Sequence, residues 1–414
     1  MTPVSETISV WLPGGVTAVP GFTASGVHAG IKQRKPDTAL IAAPRRCTAA
    51  ATFTRNVFQA APLHVTRRHL ADGHAQAVVV VSGIANTCTG EQGERDAQAM
   101  AEEAAAALGI APSDVIVAST GVIGTYLPME RVRRGIRAAA AELSSDGGPA
   151  AAQAIMTTDT RPKLAACQVE LGDGDATVTI GGICKGAGMI HPNMATMLGF
   201  LTTDAAVAPE HLQAALAQAV DDSFNMITVD GDTSPNDMVA ILASGSAGNR
   251  PLEPGTPAWS RFCQALTGIC VSLAQQIVRD GEGARKMFGV EVFGAEDRDQ
   301  ARLVARAVAS SYLVKTAVYA SDANWGRVIV AAGKTGAAMV AARTSLWLRA
   351  GEEEIPLFLD GTPQPVDEAL ASRLLSEDGV RFRLDLGTGG PGTATAWGCD
   401  LTEDYVRINS EYRT

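Results

Sequence analysis

The chain has 414 residues, 46% hydrophobic and only 5% aromatic, with a formal net charge of −10. That length supplies a large core, arranged as two or three domains or one large one. The acidic balance argues against nucleic acid or an anionic membrane as main partner, and Arg45-Arg46, Arg67-Arg68 and the Arg131–Arg134 cluster are too short to form a basic arm.

Gln76–Ser82 is a continuous β-branched run, which suits a strand buried on both faces. Ala97–Leu108 is Ala/Glu-rich and reads as a helix ending at Gly109. Asp114–Ala118 predicts a second buried strand, and Ser144–Pro149 a flexible surface loop by composition. Ala176–Ile180 alternates like a half-buried strand. Pro209–Phe224 opens with proline and keeps helical spacing, and Trp259–Val278 predicts a longer helix stopped by Asp280-Gly281. Between them, Ser244–Pro257 reads as loop. Glu296–Ser310 and Val366–Leu375 have amphipathic helical spacing, whereas Arg327–Ala332 and Thr393–Trp397 read as strands. The sum is a mixed α/β protein with sheets covered by helices.

The seven cysteines are dispersed and form no C-x-x-C pair, which predicts reduced, mostly buried thiols and a cytoplasmic protein. The N-terminus lacks the basic and apolar regions of a signal peptide. No apolar run reaches the roughly 18 residues of a membrane-spanning helix. The six histidines show no zinc-binding spacing, so no metal is expected.

The segment from Lys185 to Gly199 carries the strongest chemical signal, with Thr196 set between small and apolar neighbours. If the chain breaks at Ala195-Thr196, Thr196 gains a free α-amine beside its hydroxyl. An α-amine titrates at roughly 7.7–8.0, so it can act as general base at neutral pH. A threonine hydroxyl activated by its own amine is a covalent acyl-transfer catalyst. His191, in the same segment, is either a base or a structural residue of the turn at Pro192. The structural role is favoured because the threonine amine already supplies a base. Ala118–Gly124 follows a buried strand, and its Thr120-Gly121 pair either offers donors to an oxyanion or forms an ordinary turn.

Gly387–Gly392 matches G-x-G-x-x-G, but a strand rather than a helix follows, so a hairpin turn is expected instead of a dinucleotide site. Gly333-Lys334-Thr335 lacks the upstream glycine of a phosphate loop, since Val328 stands there. Five polar clusters, at residues 86–90, 157–160, 229–233, 280–283 and 321–327, suggest a shared polar pocket for an anionic, amine-bearing substrate.

Taken together, Gly21–Gly26, Gln59–Leu63, Ala118–Gly124, Lys185–Gly199, Thr228–Ser234, Val314–Tyr319, Asp322–Arg327 and Asp404–Asn409 resemble, nearly end to end, the ornithine acetyltransferases of arginine biosynthesis, also called bifunctional glutamate N-acetyltransferase/ornithine acetyltransferases. The resemblance implies a layered αββα sandwich and a self-cleaving precursor. The products would be an α chain of residues 1–195 and a β chain of residues 196–414, assembled as an α2β2 heterotetramer without metal or organic cofactor. Acetyl-CoA would enter only as a co-substrate. By matching positions, Thr196 is the implied nucleophile and Thr120 with Gly121 the oxyanion pair. Thr157 (with Thr158 as the alternative), Lys185, Glu282, Asn409 and Thr414 are the implied substrate contacts. The implied reaction moves acetyl from N2-acetyl-L-ornithine to L-glutamate. Cys184, Ala187 and the Thr402–Asp404 stretch depart from the family pattern, which touches substrate tuning and not the chemistry. The competing readings are an N-terminal-threonine amidase or aminopeptidase passing the acyl group to water, and an uncleaved, non-catalytic binding protein.

Overall fold

The computed structural model describes residues 8–172, 176–191 and 197–411. Ala195, Thr196 and Thr414 lie outside the described residues. The strands are β1 (Val10–Leu12), β2 (Thr23–Val27), β3 (Thr38–Phe53), β4 (His74–Ile84), β5 (Val115–Val122), β6 (Lys163–Glu170), β7 (Thr177–Lys185), β8 (Leu198–Thr203), β9 (Ile227–Thr228), β10 (Met238–Ala243), β11 (Met287–Ala295), β12 (Ser345–Ala350), β13 (Glu353–Leu359), β14 (Thr362–Pro363), β15 (Val380–Asp385) and β16 (Gly392–Cys399). The helices are α1 (Ala61–His69), α2 (Gly90–Leu108), α3 (Met129–Ala141), α4 (Gly148–Ala154), α5 (Pro209–Asp221), α6 (Pro257–Arg279), α7 (Arg298–Ala309), α8 (Tyr312–Tyr319), α9 (Trp325–Gly333), α10 (Glu368–Leu374) and α11 (Glu403–Glu411).

Among the described residues the first sheet runs β1-β6-β7-β8-β10-β3-β4-β5, with β2 also on β3. Strand β3 turns the corner. Its early residues pair with β2 and β4, its late ones with β10, and the register with β4 shifts between Ala42 and Cys47, across Pro44. The two halves thereby share one core, in which Ile41, Val78, Val80 and Ile116 meet Ile183, Phe200, Ala240 and Leu242. The opposite face of the β4–β5 half, Val79, Val81, Val115 and Val117, packs under α2 and α3 through Ala97, Met100, Val132 and Ile136. The opposite face of the other half, Ile180, Cys184, Leu201 and Ile241, packs under α5 and α6 through Leu216, Leu266 and Leu273. The layers therefore run helix, sheet, sheet, helix, as alternating apolar strands buried on both faces require. A second sheet, β14-β13-β12-β15-β11-β16-β9, joins the α6 side of the core with α7.

Most expected elements form near their expected bounds, and Gly109 ends α2 in the left-handed conformation at φ +69. Three expectations are corrected. Arg327–Ala332 is not a strand but most of α9. Val328, Ala331 and Ala332 face inward at spacings of three and four, and Val330 is 67% exposed, so this short β-branched run follows the helical period and not the strand period. Gly387–Gly392 is no hairpin turn, because β15 and β16 flank β11 on opposite sides. The turn crosses the end of β11, where a Cβ at Gly390 would stand 2.2 Å from the Ala295 carbonyl oxygen. Ser144–Pro149 is exposed at Ser144–Asp146 and Pro149, as expected, but is not a free loop. Ser144 and Ala24 exchange backbone hydrogen bonds, Gly147 and Gly148 are buried, and α4 starts there.

Candidate active site

Strands β4 and β5 run parallel, with Ser82 opposite Thr120 and Gly83 opposite Gly121, so the Thr-Gly pair sits at their carboxyl end, where sites gather in α/β sheets. Gly121 has φ +132, and a Cβ there would lie 2.2 Å from the Gly83 carbonyl carbon, so only glycine fits. Asn236 braces this end. Its amide donates to the carbonyls of Ala85 (2.6 Å) and Ser119 (2.8 Å), and it accepts from Thr87 Oγ1 at 2.7 Å.

Across the corner, Lys185 ends β7 in register with Leu198 of β8, which in turn faces Met238 of β10. The sheet ends converge on a cavity of about 150 Å³. Thr120, Gly121, Thr157, Thr158, Lys185, Glu282 and Asn409 line it, with Met197, Ser234, Asn236 and Asp237. Every expected site residue within the described residues is therefore in one place. Thr157 and Thr158 both line the cavity, so the alternative between them stands. Met197, the residue after Thr196, also lines it.

Lys185 is 8% exposed and its ammonium donates to Thr120 Oγ1 at 3.3 Å. Burial pulls its pKa below the usual lysine value, opposed by the attraction of Asp159, Asp237 and Glu282 and reinforced by Lys163. Glu282 is positioned by its backbone: its N–H donates to the Ala187 carbonyl at 2.9 Å, and its carboxylate lies over Gly188, where a Cβ would come within 2.4 Å of both oxygens. Asn409 of α11 donates to Glu282 Oε2 at 2.7 Å.

Sequence reasoning did not single out two groups here. Asp237 is 2% exposed, and its Oδ2 has no hydrogen-bond partner among the described residues. Burial raises its pKa well above the carboxylate range, against the opposing pull of Ser234, Lys185 and the Met197 N–H. Lys163 is wholly buried between Asp159 (2.7 Å) and Asp280 (2.6 Å). Burial disfavours the Asp159 carboxylate, yet Lys163, Lys185 and the Gly186 N–H outweigh it and hold its pKa near 2. One signal could have found Lys163: it shares the inward parity of Ala165, Cys167 and Val169 along β6.

His191 is absent from the cavity lining. Its Nε2 accepts from Arg306 at 3.1 Å, so the proton sits on Nδ1, which contacts Thr228 Oγ1 at 3.1 Å. Burial, then the Arg306 charge, lower its pKa to about 4, which agrees with the structural role. Of the five polar clusters, residues 157–160 and 280–283 reach the cavity directly. Thr87 acts through Asn236, and Asp230 through the N–H groups of Met189 and Ile190. The cluster at 321–327 lines a separate hollow with Gln364 and Ser372. All seven cysteines are free thiols, five of them buried. Among the described residues no group of three or more potential ligands could hold a metal ion, and no helix is long and apolar enough to cross a membrane.

A layered sandwich with a buried lysine, carboxylates and a Thr-Gly pair around one small cavity has the make-up of an α/β enzyme with a small-molecule site. The ArgJ family model matches residues 23–414. The arginine biosynthesis bifunctional protein ArgJ of Symbiobacterium thermophilum is 56% identical over 98% of this chain and 100% of its own. The protein of the same description from Bacillus subtilis is 46% identical over the full length of both. A crystal structure of the ArgJ protein from Bacillus halodurans has 46% identity, covering 51% of this chain and 97% of its own, with a TM-score of 0.48. The chain belongs to the ArgJ family.

Proposed function

We propose that the protein transfers an acetyl group from N2-acetyl-L-ornithine to L-glutamate through an acetyl ester on Thr196, after cleaving itself at Ala195-Thr196. The observation that carries this reading is the convergence of Thr120, Gly121, Thr157, Lys185, Glu282 and Asn409 on one cavity that Met197 also lines. The α-amine of Thr196 takes the proton from Oγ as Oγ attacks the acetyl carbonyl. The Thr120 hydroxyl and the Gly121 N–H stabilise the oxyanion. Because Thr120 Oγ1 accepts from Lys185, its own hydrogen remains available to donate. The tetrahedral intermediate collapses, ornithine leaves with the proton, and the ester remains. The glutamate amine then attacks the ester carbonyl, Thr196 Oγ regains a proton, and N-acetylglutamate departs.

Lys185 pairs with the substrate α-carboxylate and Glu282 with an amine, while Thr157, Asn409 and Thr414 complete the pocket. Acetyl-CoA serves as a second acetyl donor, no metal or organic cofactor takes part, and the α and β chains assemble as α2β2 in the cytoplasm. Purified protein incubated with N-acetylornithine and glutamate should form N-acetylglutamate and ornithine in equal amounts. Acetate release at the same rate with and without glutamate would mark an amidase instead. A further arm with acetyl-CoA as sole donor tests the second activity.

A further inference from the structure

Lys163 lines no part of the cavity, yet it touches what holds the cavity's charged groups. Its ammonium lies 2.7 Å from Asp159 Oδ1 and 2.6 Å from Asp280 Oδ2. Asp159 also accepts from the Gly186 N–H at 2.7 Å and the Thr157 N–H at 2.9 Å. The first neighbours Lys185, and the second belongs to a lining residue. Asp280 accepts from the Thr160 N–H at 3.0 Å and sits two residues before Glu282. A buried ammonium between two carboxylates thus ties together the three segments that carry Thr157, Lys185 and Glu282. Two of these segments precede Ala195-Thr196 and one follows it, so the tie spans both products of cleavage.

We infer that Lys163 is a positioning residue for substrate recognition, fixing the spacing between the carboxylate-binding Lys185 and the amine-binding Glu282 through Asp159 and Asp280. The inference rests on the acetyl-transfer reading of the site. Lys163 is the counter-charge that keeps Asp159 occupied. Without it the nearest cation to Asp159 is Lys185, whose ammonium would turn from Thr120 and the cavity toward that carboxylate. The charged groups facing this pair are Asp159, Asp280, Asp237, Glu282 and Lys32, whose own pKa burial lowers to about 8, with Arg161 at 3.9 Å on the far side of Asp280. Removing the Lys163 charge also removes a repulsion on the Lys185 ammonium, so Lys185 holds its proton to higher pH.

The test compares wild type with Lys163→Met in steady-state kinetics over a pH series, with L-ornithine binding measured by calorimetry. The expected result is a KM for acetylornithine and for glutamate raised roughly tenfold or more, a smaller fall in kcat as Lys185 leaves Thr120, and the alkaline limb of kcat/KM moved to higher pH. Weaker ornithine binding should accompany it. Should Lys163→Met give no cooperative melt, Asp280→Asn decides on KM and ornithine affinity, since it keeps the shape and the Thr160 contact while loosening the hold on Lys163. A folded variant with unchanged KM, unchanged alkaline limb and unchanged ornithine affinity overturns the inference. If wild type binds ornithine but transfers no acetyl group, the functional reading fails, and the calorimetric comparison still decides the role of Lys163. If wild type binds no ornithine, both fall.

Discussion

The Lys185 ammonium donates to the Thr120 hydroxyl at 3.3 Å, joining the proposed carboxylate-binding group to the proposed oxyanion donor across two different strands. On the proposed roles, the contact makes substrate recognition and transition-state stabilisation partners in one geometry. Lys185→Met should therefore raise KM for both substrates and also lower kcat. A loss of about 2–5 kcal/mol in kcat/KM is typical when one partner of a buried charged pair is removed. Initial rates with each substrate varied in turn check this, and unchanged kcat would separate the two roles.

Gly121 tolerates no side chain, since a Cβ would meet the Gly83 backbone at 2.2 Å with φ at +132. Gly121→Ala must shift the end of β5 against β4. We expect a stability loss of about 3 kcal/mol from strain and overpacking, and a fall in kcat of roughly 10²-fold as the oxyanion donor moves. Denaturant melts and single-turnover rates measure the two effects separately.

Glu282 keeps its place through the Ala187 carbonyl and Asn409, not through its charge alone. Glu282→Gln should fold normally and still yield two chains, while KM for acetylornithine rises several-fold. Unchanged KM for both substrates would reduce Glu282 to a loop residue.

Acid stability should report on His191. Its folded pKa is about 4 against an ordinary 6.5, so between these values the unfolded chain binds a proton that the folded protein does not. Stability therefore rises with pH across this window and falls as pH drops from about 6.5 toward 4. His191→Gln should flatten that part of a plot of melting temperature against pH. A parallel plot for the variant would show that the titration lies elsewhere.

The layered architecture was legible because Gln76–Ser82 and Asp114–Ala118 are β-branched runs long enough to require burial on both faces. The same signal misled at Val328–Val330, where three apolar residues fit either period and only α9's packing decides. Thr120, Gly121, Thr157, Lys185, Glu282 and Asn409 were legible through family motifs, and nothing in their spacing predicts that they meet. Their convergence depends on the corner in β3 and on parallel pairing, both long-range. Asp237 was hidden for the same reason, and so was the role of Lys163, though not its inward position on β6. A lysine on the core face of β6 declares itself only when Asp159 and Asp280 arrive from elsewhere. The burial of Asp237 follows from the neighbouring strands, not from its sequence context.

The central claim is an acetyl ester on an N-terminal Thr196. Intact mass under denaturing conditions, after incubation with N-acetylornithine alone, tests it most directly. The account predicts two chains divided at Ala195-Thr196, with the C-terminal chain heavier by one acetyl group that glutamate removes, and Thr196→Ala as a single unmodified chain. A protein that turns over as one uncleaved chain, or a cleaved Thr196→Ala variant that retains activity, would contradict it.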